Sequence, residues 1–415
     1  MSEDREDALR RFDDARAVTG DEPATGSAAA TRDAPSTQAQ DRPSSTQARQ
    51  PSTRAPQSSP ETHSGPSRIA TATSAPLLLP ANPVFRFYRG GAGIDRFRGV
   101  EPGSGPGAPE DWVGSTTTSF GNDIEGLAAL GDGRILRDVI AADPEAYLGT
   151  QHVAAFGANP GLLVKLLDAG ERLSVHFHPD RGFAREHLHS DFGKTEAWLI
   201  LEAEPGAHMH LGLQQSVDLE TLHRWVTEQD SEEMLSALHK VPVSAGDALF
   251  VPAGTLHTIG SGITLIELQE PSDMSVVVEW RNAGVTNGDE HLQLGWDQVL
   301  PAAEINATAP IHIPARHAEL DKSSLKRLLP PEADPYFRAE RLTLQAGQPL
   351  RLQPLFSILI GTSGDVTLSN EMGESLRLKR GTAVVIPFGA GMTTLSGAGT
   401  AIRCLPPVVG AGEGR

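Results

Sequence analysis

The stretch VHFHPD, residues 175–180, decides how the rest of the chain is read. In an extended strand alternate side chains share one face, with their Cα atoms ~6.5–7 Å apart. His176 and His178 therefore project together, and both imidazoles can reach one ion. Next comes GKTEAWLIL (193–201), which puts Glu196 at the start of another strand, where it can add a carboxylate. In GDALFVPAGTLH (246–257), Gly246, Pro252, Gly254 and His257 follow the spacing G-x5-P-x-G-x2-H, a strand entering a tight turn that presents a histidine. A lone histidine is usually just a satisfied polar residue. Here an H-x-H pair, a following glutamate and a turn histidine coincide, and the reading is a metal held by His176, His178, Glu196 and His257. Three imidazoles and one carboxylate suit zinc, and equally iron, manganese, nickel or copper.

Around these residues, between Glu171 and Trp280, strand signals alternate with turns: LSVHFHP, TEAWLILEA, AHMHLGL, DALFVPAG, GITLIELQ and MSVVVEW. Many short strands of this kind predict a mainly β sandwich or barrel. A helical insertion interrupts them, with Asp218 capping DLETLHRWVTEQD and Ser231 capping SEEMLSALHKV, where Met234, Leu235 and Leu238 line one face. Upstream, RILRDVIAADPEAYLG has helical spacing at Ile135, Leu136, Val139, Ile140 and Tyr147 and a stop at Gly149. GLLVKLLDAG reads as a buried strand.

The 415 residues leave room for two domains and a tail. Residues 1–75 are rich in Ser, Thr, Ala, Pro and Gln, a composition that cannot bury enough surface to offset its ordering entropy, so a disordered tail is expected there, with a short helix around Asp7–Val18. A metal-binding domain is expected over 76–300 and a second strand-rich domain over 301–415. In that second block GTAVVIPFGAGM repeats the turn spacing through Gly381, Pro387 and Gly389, but Met392 stands where the histidine would be. The net charge of −18 argues against a nucleic-acid partner, and an anionic substrate would have to be bound by a local pocket. Cys404 is the single cysteine, so neither an internal disulfide nor a thiolate cluster can form. The opening MSEDREDALRRFDD lacks a signal peptide's apolar core, and no apolar run approaches the ~20 residues of a membrane helix, which makes the cytoplasm the expected location.

These segments resemble the cupin superfamily, and more narrowly the type I phosphomannose isomerases. NPVFRFYRGG resembles that family's opening, LLVKLLDAGERLSVHFHPD the approach to its metal site, and GKTEAWLIL its carboxylate strand. VSAGDALFVPAGTLHTIGSGITLIELQEPSD resembles the segment holding its last ligand histidine and a catalytic glutamate. The resemblance implies two jelly-roll barrels, the C-terminal one degenerate, and one divalent metal, usually zinc. The implied substrate is a sugar phosphate, mannose 6-phosphate, interconverted with fructose 6-phosphate. It carries the family ligands onto His178, Glu196 and His257, with His176 where the family has glutamine. Glu267 matches the catalytic glutamate, Lys194 a substrate-contacting lysine, and Ser174 could hydrogen-bond substrate. Val277 stands where the family has an arginine, and Arg281 is the expected substitute. Two other functions stay open: a cupin oxidoreductase using iron, copper or nickel with dioxygen, and a sugar-binding protein that keeps the metal without turnover. The second H-x-H, His208 and His210, has no glutamate or turn histidine at matching spacing and is expected in the pocket or on the surface, as are His187 and His189 on the surface.

Overall fold

Three antiparallel sheets make up the fold of the computed structural model, which describes residues 75–101, 107–315 and 323–411. The tail expected over 1–75 and its short helix lie outside the described residues, save for residue 75. In chain order the strands are β1 (Leu77–Leu79), β2 (Pro83–Val84), β3 (Glu110–Trp112), β4 (Leu163–Ala169), β5 (His176–Phe177), β6 (Glu196–Ala203) and β7 (His208–Leu213). Then follow β8 (Leu238–Pro242), β9 (Ala248–Val251), β10 (His257–Ile259), β11 (Ile263–Gln269), β12 (Val276–Val277) and β13 (Ile311–Ile313). The C-terminal block adds β14 (Leu325–Arg327), β15 (Arg338–Leu344), β16 (Leu350–Leu352), β17 (Ser357–Asn370), β18 (Ser375–Lys379), β19 (Ala383–Ile386) and β20 (Thr393–Leu405).

One sheet runs β12-β5-β10-β7-β8 and a second runs β13-β9-β6-β11-β4-β3-β2. Their sequences alternate with period two, and the alternation decides which core each residue joins. Trp198, Ile200, Leu249, Leu265 and Leu167 meet Met209, Leu211 and Ile259 of the five-stranded sheet in one apolar cluster. The intervening residues Val164, Leu166, Ala197, Leu199, Phe250, Ile266 and Leu268 point the other way. They pack on Ile358, Ile360, Ala383, Val385 and Cys404 of the third sheet. That sheet in turn sends Leu359, Val384 and Ile386 into a cluster of its own. Each such aliphatic side chain contributes roughly 1.5–3 kcal/mol on full burial.

Strands cross the expected boundary between the two blocks. β1 pairs with β19 of the C-terminal block, and β13 pairs with β9 beside the site. The helix expected over 135–149 is instead broken into Leu136–Ala142 and Pro144–Leu148, and a further helix, Thr150–Phe156, follows Gly149. Pro144 disfavours helical geometry at Asp143, whose side chain instead caps the second piece through Ala146 N (3.4 Å). In the insertion Asp218 caps Leu219–Glu228 as expected. The cap of Ser231–Ala237 is Asp230, not Ser231, whose hydroxyl donates to Glu279. Residues 238–241, the end of that helix by sequence, lie instead in strand β8, because pairing with β7 buries Leu238 and Val241.

Candidate metal centre

Register in the five-stranded sheet assembles the histidines. His176 on β5 is the cross-strand partner of His257 on β10, and on its other side it faces Val277 of β12. The turn before His257 depends on Gly254, whose φ of 83° is costly for a residue with a Cβ. Gly254 N also donates to His178 O (2.7 Å), which locks the two ligand-bearing segments together. The ring centroids of His176 and His257 are 4.2 Å apart, and each lies 5.0 Å from that of His178. One ligating nitrogen from each of the three falls within 4.8 Å of the others. Glu196, opening β6 in the facing sheet, brings Oε2 to 3.1 Å from His178 Nε2 and Oε1 to 3.2 Å from His257 Nε2.

The hydrogen bonds show what this cluster fits. His176, His178 and His257 each engage a backbone carbonyl through Nδ1, at 2.8 Å, from Ser174, Met274 and Thr255. A carbonyl can only accept, so Nδ1 carries the proton and Nε2 presents a bare lone pair. His178 Nε2, His257 Nε2 and Glu196 Oε2 are buried without any hydrogen-bond partner. Burial, then the nearby Lys194 ammonium, depresses the His178 imidazole to about 3. Burial and the two neighbouring histidines hold His176 well below its ordinary value. Burial alone would raise Glu196, but His178 and Lys194 outweigh it and hold its carboxyl well below the usual range. The Nε2 lone pairs and the Glu196 carboxylate, acceptors packed face to face, are left uncompensated until a cation joins them. The donor set fits a divalent metal.

A cavity opens beside the cluster, lined by His176, Glu196, Lys194, Lys165, Glu267 and Val277 among others. Lys194, buried, holds Nζ 3.5 Å from Glu196 Oε2. Glu267 accepts from Trp198 Nε1 (3.2 Å) and pairs with Lys165 Nζ (3.3 Å), its cross-strand partner residue on β4. Ser174 is buried and serves His176 through its carbonyl; its side chain does not line the cavity. Arg281 does not reach the site, because its exposed guanidinium lies over the neighbouring Trp280 ring, 5.3 Å from the centroid. His208 and His210 alternate with Met209 and Leu211, which fill the interior, so they face away from the cluster. His187 bonds Gln298 on the surface, and His189 is exposed.

Sequence reasoning missed a group of buried charges on the cavity wall. Lys165 Nζ lies 3.4 Å from Glu110 and 3.9 Å from Asp273, and 4.7 Å from the centroid of the Trp112 ring. Arg86, also lining the cavity, forms a two-pronged bond with Asp273 at 2.9 and 3.2 Å. One local sign existed, the lone lysine inside the otherwise apolar run LLVKLL.

No family model matches the chain. Among curated proteins it is 39% identical over 130 residues to mannose-6-phosphate isomerase of Streptococcus mutans, which covers 30% of this chain and 40% of that protein. The chain thus spans about two fifths of that relative's length. It is 28% identical over 258 residues to mannose-6-phosphate isomerase ManA of Bacillus subtilis, covering 60% of this chain and 78% of that one. In fold it matches the crystal structure of mannose 6-phosphate isomerase from Bacillus subtilis with a TM-score of 0.62 at 22% identity, over 79% of this chain and 99% of that one. A point variant of phosphomannose isomerase from Salmonella typhimurium matches with a TM-score of 0.59 at 17% identity, over 80% of this chain and 100% of that one. In sequence over part of its length, and in fold over most of it, the chain is similar to proteins named mannose-6-phosphate isomerase.

Proposed function

We propose that the chain is a metal-dependent aldose–ketose isomerase interconverting mannose 6-phosphate and fructose 6-phosphate, with zinc held by His176, His178, Glu196 and His257. The observation that carries this reading is one cavity lined both by His176 and Glu196 of the cluster and by the buried Glu267–Lys165 pair. The metal would polarise the sugar's carbonyl and hydroxyl oxygens. Everything else falls to the protein's own side chains. Glu267 is oriented by Trp198 on one oxygen and Lys165 on the other. Burial raises its carboxyl, Lys165 opposes this, and the Glu196 charge adds to the rise. A carboxylate that holds a proton more tightly than an ordinary glutamate suits removal of the C2 proton and its delivery to C1. Burial alone would lower Lys165, but Glu110 and Glu267 keep it raised, so its ammonium persists to neutralise charge developing on the sugar oxygens. Lys194 offers a second ammonium beside Glu196.

Around the cavity Arg86, Lys165 and Lys194 face Glu110, Glu196, Glu267 and Asp273, so a divalent ion tips the balance to net positive. That favours an anionic sugar despite the acidic surface. Arg86 stands in the cavity wall and takes the part that Val277 cannot. In this reading strands β14 to β20, joined by β1, form a degenerate barrel that packs on the first, with Met392 in place of a ligand histidine. The substrate belongs to the cell interior, and among the described residues no helix is long and apolar enough to cross a membrane. Carbon-13 NMR of metal-loaded protein with labelled mannose 6-phosphate or labelled free mannose tests the reading. The phosphate ester should become ketose and free mannose should not. Comparable turnover of both, or oxygen consumption in place of ketose, contradicts it.

A further inference from the structure

We infer that Arg181 and Glu270 are positioning residues through which the C-terminal block sets the geometry of the metal ligands, an inference that rests on the cluster being a metal centre. Arg181 follows ligand His178 by three residues and opens the helix Arg181–His187. Its Nε donates to Glu270 Oε1, its Nη2 donates to Pro335 O (3.0 Å), and its guanidinium lies 4.7 Å from the Tyr336 ring centroid. Pro335 and Tyr336 belong to the C-terminal block, and Tyr336 packs on its neighbour Phe337 and on Phe250 of β9.

Glu270 passes this grip on to the site. Its Oε2 accepts from Thr195 N (3.0 Å), and its own N donates to Thr195 O (3.1 Å). Thr195 lies between Lys194 and ligand Glu196. Lys194 N in turn donates to Pro179 O (3.0 Å), next to His178. Gly193 sits so close to this backbone that a Cβ would lie 2.6 Å from Pro179 O. The Glu270 side chain is 1% exposed, and Arg181 is its one cationic partner among the described residues. Loss of Arg181 leaves a buried carboxylate unpaired and frees it to release Thr195. The segments bearing His178 and Glu196 are thus braced against each other and against the second block by one ion pair.

Cobalt(II) titration of the full chain tests this, since its d–d absorption reports ligand arrangement and needs no turnover. Arg181→Met should weaken cobalt binding about tenfold and alter the d–d bands at temperatures where the variant remains folded. Arg181→Lys keeps the charge but loses the planar stack and the second donor, and should recover most of that affinity. Tyr336→Leu should shift binding in the same direction, by about twofold, and decides the matter if Arg181→Met does not fold. Wild-type affinity and bands in Arg181→Met, with only a lowered melting temperature, would overturn the inference. So would an unchanged Tyr336→Leu where Arg181→Met fails to fold. Should the wild type bind cobalt yet form no fructose 6-phosphate, the isomerase reading fails and the positioning inference stands. Absence of cobalt binding in the wild type sinks the metal centre and the inference together.

Discussion

Glu196 and Glu267 lie on adjacent strands, and their surroundings set two identical side chains apart. Glu196 lies beside the Lys194 ammonium and stays ionised, whereas Glu267 is raised by burial. Glu267→Gln should therefore lower kcat by about 100-fold or more while metal content, read by plasma mass spectrometry, stays unchanged. The pH profile gives an independent check. A raised carboxyl that must be ionised to act loses activity on acidification at a pH above the ordinary glutamate range, and Glu267→Gln should abolish that limb. His178→Ala and His257→Ala should lose metal and activity together, since each removes a ligand; full occupancy in both would exclude the assigned site. The histidines were legible because they sit in short motifs, H-x-H and G-x5-P-x-G-x2-H, and Glu196 because it opens a strand between them. The Arg86–Asp273 and Lys165–Glu110 pairs were not, because these residues sit in no such motif and each partner lies far along the chain. Arg281 was misplaced for a related reason: spacing cannot reveal that a side chain folds back onto Trp280.

At the level of elements, β5 is held at its entrance by Glu279. The carboxylate is fully buried, accepts from Arg172 at 2.7 and 2.6 Å and from Val175 N at 2.9 Å, and also takes the Ser231 hydroxyl. Burial alone would raise this carboxyl, but Arg172 and Ser231 bring it down to about 2 from an ordinary 4.5. A depressed folded value means stability that is fully present above the unfolded value and lost as pH falls through the folded one. Glu279→Gln should cost ~3 kcal/mol near neutral pH by urea unfolding. The gap between variant and wild type should narrow steadily below about pH 4.5. A gap that stays constant to pH 3 would mean the ion pair is not its source. From sequence, elements with continuous apolar runs such as β4 were plain. Two-residue strands such as β5 and β12 were read as longer, because only their neighbours define where pairing stops.

On the scale of the whole molecule, two sheets share one apolar interface, and β1 crosses to close the edge at β19. Leu79 is 4% exposed there. A chain beginning at residue 75 should melt within about 2 °C of the full chain, because the composition of the preceding segment supplies no packed core. A chain beginning at residue 81 loses β1 and should melt several degrees lower, at roughly 1.5–3 kcal/mol for a buried leucine. Strand-rich stretches on both sides of residue 300 were legible in the sequence, the first carrying the histidine cluster. The exchange of β1 and β13 between them was not, because pairing across so many residues leaves no local pattern. The central claim, that a metal held by His176, His178, Glu196 and His257 drives sugar-phosphate isomerisation, is met most directly by one coupled assay. Fructose 6-phosphate formation from mannose 6-phosphate is followed in chelator-stripped protein and again after one equivalent of zinc per chain is restored. Turnover should be lost on stripping and recovered on reloading; a chain that binds its zinc and forms no fructose 6-phosphate, or one that turns over equally well without metal, would contradict that claim.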